Sequence, residues 1–235
     1  MRTLGLLSPF SGKTHEFFLT ALHQDVRRRS GAEQDAKVIA MGFNPSTQLL
    51  HEEKWWTLVQ HIKRHIRELA AAGAEAVLFT SLVWYRFADE LAADGTIPVL
   101  HPVDALMQAM RPRELEPGPL GILAPELVTD GGALIDRFRT SAQREIIFPT
   151  PEDIVSAFGP GEYEQGPITF ENGRRIQRVL DGLRLAGATG IVACTPAIAG
   201  LISAEDFARD CYHLPALQVA SAAEWMLRRS HEKLF

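Results

Sequence analysis

The chain has 235 residues, with 24 Lys+Arg against 29 Asp+Glu and a net charge of −5, which argues against a nucleic-acid partner, since such partners call for a basic excess or stripe. A hydrophobic fraction of 46% is ordinary for a packed domain, and no apolar run approaches the roughly 18–20 residues that span a bilayer, so a membrane is not an expected partner either. Two cysteines, Cys194 and Cys211, cannot build a disulfide framework, and the apolar start is broken by Ser8 and Pro9 too early for a signal peptide, so the expectation is a cytoplasmic, soluble globular protein.

Short apolar runs alternate with helical patterns along the chain. Strands are predicted at Leu4–Leu7, Val38–Met41, Ala76–Phe79 and Pro98–Leu100, then at Leu120–Leu123, Glu145–Phe148, Gly190–Ala193 and Ala216–Val219. Their near-continuous apolar character suits parallel strands buried on both faces. Arg27, Arg28 and Arg29 read as the basic end of a first helix, favoured there by the macrodipole, rather than as a phosphate site. In a second helix, Trp55, Leu58, Val59, Ile62, Ile66 and Leu69 recur at helical spacing, which leaves His61, Lys63, Arg64, His65, Arg67 and Glu68 on the wet side. Ile176, Val179, Leu180 and Leu183 repeat the pattern in the second half. Residues 111–119 and 158–161 read as loops.

The two halves also resemble one another. The segment from Leu69 to Ser81, with Ala72-Gly73-Ala74 near its start, matches the segment from Leu183 to Thr195, with Ala186-Gly187-Ala188. In each, a helix ends at a glycine suited to a left-handed backbone, and a buried strand follows. Open parallel sheets bind ligands outside the carboxyl ends of their strands. Thr80-Ser81 and Cys194-Thr195 are therefore expected at equivalent active edges. The predicted fold is α/β, in two pseudo-symmetric lobes, each a mostly parallel four-stranded sheet flanked by helices. The first lobe takes 1–103 plus 210–235 and the second 104–209, with the active site in the cleft between them.

Chemistry-bearing residues cluster at those edges. Cys194 is a candidate carbon acid/base, because a thiol exchanges protons near working pH and is acidified at a helix start. Thr195 followed by Pro196 reads as such a start, with Thr195 as N-cap. Cys211 stands near no second motif and reads as structural. Thr80 and Ser81 could be mere caps, but their equivalence to Cys194 favours oxyanion donors. Hydroxyls are too weakly acidic to hold a second proton easily, so proton delivery is expected from the Cys194 side alone. Ser8, Pro9, Phe10 and Ser11 follow the first strand and are candidate substrate contacts, with Phe10 and Trp84 able to form an apolar pocket. Ser11-Gly12-Lys13-Thr14 imitates the end of a P-loop, but Leu7 stands where its first glycine is required. His61 and His65 lack the glutamate of a metalloprotease helix and flank Lys63 and Arg64, and Cys211 with His213 cannot close a zinc site, so no metal is expected. His101, at a strand end, reads as a structural hydrogen-bonding residue.

These motifs resemble the aspartate/glutamate racemase superfamily, which includes aspartate racemases, arylmalonate decarboxylase and maleate isomerase. The resemblance runs nearly the whole length. It rests on the opening from Thr3 to Gly12, on Ile97-Pro98-Val99-Leu100-His101 with Asp104-Ala105, and on Ala193-Cys194-Thr195. It implies a cofactor-independent enzyme that moves a proton at a carbon beside a carbonyl or carboxylate, of racemase, epimerase or isomerase type. Its substrate would be a small carboxylate or carbonyl compound. The second of the family's two catalytic positions falls on Cys194, and the first on Phe79, Thr80 or Ser81. Thr80-Ser81-Leu82-Val83-Trp84-Tyr85-Arg86 is more similar to the corresponding decarboxylase segment than to racemases. That likeness implies hydroxyls holding a carboxylate opposite one proton-delivering cysteine, so a lyase is the second reading. A non-catalytic small-molecule binding protein on the same fold is the third. Leu82 and Pro196 replace polar racemase residues and Leu127 replaces a decarboxylase tyrosine, which implies a relatively apolar substrate. The implied substrate-binding set is Ser8, Pro9, Phe10, Ser11, Leu82, Trp84 and Thr195. A homodimer is compatible with the family.

Overall fold

A computed structural model describes residues 1–9, 12–31, 34–43, 54–93, 95–111, 118–124, 133–150 and 170–228. Phe10, Ser11, Leu127, residues 112–117 of the first predicted loop and the whole of the second lie outside this set. The chain divides into two compact units. Unit 1 holds Met1–His101 with Gln218–Phe235, and unit 2 holds Pro102–Leu217.

Unit 1 contains β1 (Leu4–Ser8), α1 (Gly12–Arg29), β2 (Val38–Gly42), α2 (Trp55–Ala71) and β3 (Ala76–Phe79). A 3-10 helix, Leu82–Phe87, and the short α3, Ala88–Ala92, follow. The sheet order is β2-β1-β3, all parallel, with Leu4 opposite Val38 and Ala76. β1 is buried throughout because helices cover both of its faces. One core joins Leu4, Leu6, Phe18, Leu22 and Leu78 to Val219, Ala222, Ala223 and Met226 near the chain's end. Arg27, Arg28 and Arg29 do close α1, and Arg29 pairs with Asp25 at 2.6 Å.

The predicted fourth strand of this sheet, Pro98–Leu100, is reduced to one bridge, Val77 opposite Val99. The Tyr85 hydroxyl explains why pairing stops there. Val77 N–H donates to Pro98 O at 2.9 Å and Leu100 N–H donates to Val77 O at 2.8 Å. At the next rung the hydroxyl intervenes, accepting Phe79 N–H at 3.0 Å and lying 3.0 Å from Leu100 O, which it can serve as donor. Gln218 adds a side-chain bond to the same oxygen at 3.3 Å.

Unit 2 contains α4 (Pro102–Met110), β4 (Leu120–Leu123), α5 (Ala133–Ala142), β5 (Ile146–Ile147), α6 (Phe170–Leu185) and β6 (Gly190–Ala193). It continues through α7 (Pro196–Ala199), α8 (Ala204–Arg209) and β7 (Cys211–His213), and α9 (Leu214–Leu227) starts here. The parallel order is β5-β4-β6-β7. Ile176, Val179, Leu180 and Leu183 of α6 pack on Leu123, Ile191 and Ala193. The last strand therefore lies at Cys211–His213. The predicted strand Ala216–Val219 is part of α9 instead. Its apolar run has helical neighbours, and His213 Nδ1 accepts Ala216 N–H at 3.1 Å at the helix start. The duplication survives in detail. Gly73 and Gly187 have φ of 102° and 96°. Ala74 N–H donates to Leu69 O at 3.0 Å and Ala188 N–H to Leu183 O at 2.9 Å.

Candidate active site

In unit 1 the carboxyl edge is centred on β1. Ser8 ends that strand with no exposure, opposite Gly42. Its carbonyl accepts Phe43 N–H at 2.8 Å, and the Leu7 carbonyl accepts Thr80 N–H at 3.1 Å. Thr80 is 8% exposed, and its Oγ1 is buried without a hydrogen-bond partner among the described residues. An unmet buried hydroxyl costs about 1–3 kcal/mol, so structures rarely leave one without a reason. Ser81 is partly exposed and precedes the 3-10 helix without capping it through its side chain.

Two further residues at this edge escaped the sequence reading. His15, in the first turn of α1, places Nδ1 2.5 Å from Ser8 Oγ. Phe43, just past β2, stacks on His61 at 5.6 Å and meets His65 at 4.9 Å. The expectation that His65 faces water is therefore corrected: its side chain is 12% exposed, and its Nε2 is buried without a partner among the described residues. The aromatic residue that covers it lies eighteen or more positions away in sequence, so helical periodicity could not reveal it. Trp84 is 1% exposed, with its ring 5.9 Å from Phe43 and 6.0 Å from Phe79. Leu82 is also buried, Pro9 is half-buried, and His101 is buried edge-on against Tyr85.

In unit 2 the corresponding edge carries Cys194. Cys194 N–H donates to Leu123 O at 2.9 Å, just as Thr80 N–H donates to Leu7 O. Leu7 pairs with Phe79 and Leu123 with Ala193, so Thr80 and Cys194 occupy the same position in their own sheets. Thr195 caps α7 as its sequence implied, its Oγ1 accepting Ile198 N–H at 3.2 Å, with Pro196 at the first turn.

The expected acidification of the thiol is not seen. Cys194 is 2% exposed, its thiol donates to Val192 O at 3.7 Å, and burial pushes its pKa well above the usual thiol range. α7 is only four residues long, too short a dipole to offset the loss of water. The group is therefore a protonated thiol at neutral pH. Cys211 is 1% exposed inside the unit 2 core, and burial together with Asp210 pushes its thiol up to about 12.

The sequence matches no family model and no curated protein. Solved structures do match. A protein from Yersinia pestis assigned as an Asp/Glu racemase is 24% identical, with a TM-score of 0.83, covering 97% of this chain and 100% of that one. An aspartate racemase homologue from Pyrococcus horikoshii OT3 is 15% identical, with a TM-score of 0.80 over 97% of this chain and 100% of that one. Unliganded arylmalonate decarboxylase is 15% identical, with a TM-score of 0.55 over 96% of this chain and 92% of that one. The chain has the fold of the Asp/Glu racemases.

Proposed function

We propose that the chain is a cofactor-independent enzyme of the Asp/Glu racemase superfamily that moves a proton at a carbon beside a carboxylate or carbonyl. Its thiol at the carboxyl end of a strand, Cys194, delivers that proton. The observation that supports this most is the equivalence of Thr80 and Cys194, two polar side chains at the same strand-end position of two duplicated sheets. Cys194 gives its S–H proton to an enolate-like carbon, and the thiolate is reprotonated from solvent. A thiol kept protonated by burial is suited to giving rather than taking a proton. Thr80 Oγ1, with no internal partner, and Ser81 donate hydrogen bonds to the developing oxyanion. The substrate is a small, relatively apolar carboxylic acid, because Leu82 and Pro196 bring no charge to pair with a second polar group.

The reaction is an isomerisation or racemisation if the carbanion arises by loss of a proton. A second reading is a decarboxylase, favoured by a hydroxyl rather than a thiol at position 80. There the C–C bond breaks, its electron pair enters the enediolate, carbon dioxide leaves, and Cys194 protonates the carbon. Two probes separate these readings. Racemisation of 2-phenylpropionate without gas release identifies the isomerase, whereas carbon dioxide from 2-methyl-2-phenylmalonate identifies the lyase. Turnover of either should persist after dialysis against a chelator. Binding of both without turnover would leave only the non-catalytic reading.

A further inference from the structure

We propose that His15 is the base that removes the proton from the substrate carbon, its imidazole held by Ser8 at the carboxyl end of the central strand of unit 1. The inference rests on the proposed function and supplies the partner that reading lacks. A protonated Cys194 can give a proton, but the hydroxyls of Thr80 and Ser81 are poor acceptors, so an isomerisation needs a separate base.

The geometry favours His15. β1 lies between β2 and β3, so Ser8 stands at the middle of the edge where open parallel sheets bind ligands. α1 starts at Gly12, which puts His15 in its first turn. Helical side chains lean toward the helix N-terminus, and this lean brings the ring back onto the strand end. There Nδ1 lies 2.5 Å from the buried Ser8 Oγ. With Nδ1–H donating to that oxygen, Nε2 keeps its lone pair for chemistry. The ring is only partly buried, so a ligand can reach it. Ser8 and Thr80 are the next residues after the paired Leu7 and Phe79, and Thr80 N–H donates to Leu7 O at 3.1 Å. A proton acceptor and an unused hydroxyl donor thus flank one place.

The step balances within the chain and water. The Nε2 lone pair takes the carbon-bound proton, and the C–H electron pair enters the enediolate as the carboxylate π pair moves to oxygen. Cys194 then protonates the carbon. The mirror-image substrate runs the same steps in reverse, the Cys194 thiolate taking the proton and the imidazolium giving one. Between turnovers solvent carries the proton from imidazolium to thiolate.

The test uses both enantiomers of 2-phenylpropionate in deuterium oxide with wild type, His15→Gln, Ser8→Ala and Cys194→Ala. Exchange of the carbon-bound hydrogen reads abstraction, whereas loss of optical activity reads delivery by a different group. His15→Gln should lose racemisation, and exchange of the enantiomer whose C–H faces His15, by about 10²- to 10⁴-fold, the usual contribution of a general base. Cys194→Ala should keep exchange in the enantiomer whose C–H faces His15, because His15 can return deuterium itself, and lose it in the other, while optical activity no longer decays. Ser8→Ala, a positioning change, should lower exchange by roughly tenfold, the equivalent of about one hydrogen bond. Thermal unfolding checks that each variant folds. Exchange within threefold of wild type in both His15→Gln and Ser8→Ala would overturn the role of His15 and leave that of Cys194 intact. No exchange by wild type would overturn the role of His15 and the isomerase reading together, and carbon dioxide release from 2-methyl-2-phenylmalonate would then carry the role of Cys194 alone.

Discussion

One residue type separates the two strand ends. Position 194 carries a thiol, whereas the equivalent position 80 carries a hydroxyl left without a partner among the described residues. Thr80→Val, which keeps the shape and removes the oxygen, tests whether that hydroxyl is kept for a ligand. Activity should fall by about 10²- to 10³-fold, the typical cost of one oxyanion donor. Stability in urea should hold or rise by up to about 1–3 kcal/mol, because a buried unmet group is removed. A loss of stability with activity unchanged would make Thr80 structural. Sequence reasoning reached Thr80, Cys194 and the Thr195 cap because each follows from local order. It failed on the thiol's acidity and on His15, because both depend on what tertiary packing brings against them. His15 left a trace nonetheless, as a polar ring in the first turn after the opening strand.

At the scale of elements, two devices hold the edges in place. Gly5 sits mid-strand in β1, where a Cβ would meet Leu69 Cδ1 at 3.2 Å, Ala74 Cβ at 3.2 Å and the Ala76 carbonyl at 3.3 Å. Backbone cannot yield as a side chain does, so Gly5→Ala should cost roughly 1–3 kcal/mol by overpacking, read as a lower urea midpoint. In unit 2, Arg184 at the end of α6 ties that helix to α8 and to Asp210, the residue that joins α8 to β7. It donates to Asp210 at 2.8 and 2.7 Å and to Asp206 at 2.7 Å. Burial alone would raise both carboxyls, but hydrogen bonds from Arg184 and, for Asp206, from Ser203, with the guanidinium charge, hold them below the usual aspartate range. Groups with depressed native pKa values stabilise the fold fully above their unfolded value of about 3.9 and lose that contribution as pH falls toward the native value. Unfolding free energy should therefore decline below about pH 4, and the decline should be shallower in Asp210→Asn, which starts less stable by about 3–5 kcal/mol because Arg184 loses its best partner. An equally steep decline in that variant would remove the clamp from the account. The elements misread from sequence share one cause. Short apolar runs fit strand or helix alike, and only the Tyr85 hydroxyl and the His213 cap decide between pairing, bridging and coiling.

For the whole molecule, the duplication was the most legible feature. Two Ala-Gly-Ala turns, two buried strands and two polar strand ends lie in the sequence at one fixed offset, and the structure repeats them bond for bond. The likeness to solved racemase structures over nearly the full chain fits that plan. Strand number was less legible: the first sheet has three strands and an isolated bridge among the described residues, where four strands were expected. The central claim is that Cys194 delivers the proton. It is tested most directly by comparing product formation by wild type and Cys194→Ala on the same racemisation and decarboxylation probes. The account predicts a fall of about 10²- to 10⁴-fold for the variant with its fold intact, and product formed at the wild-type rate would contradict it.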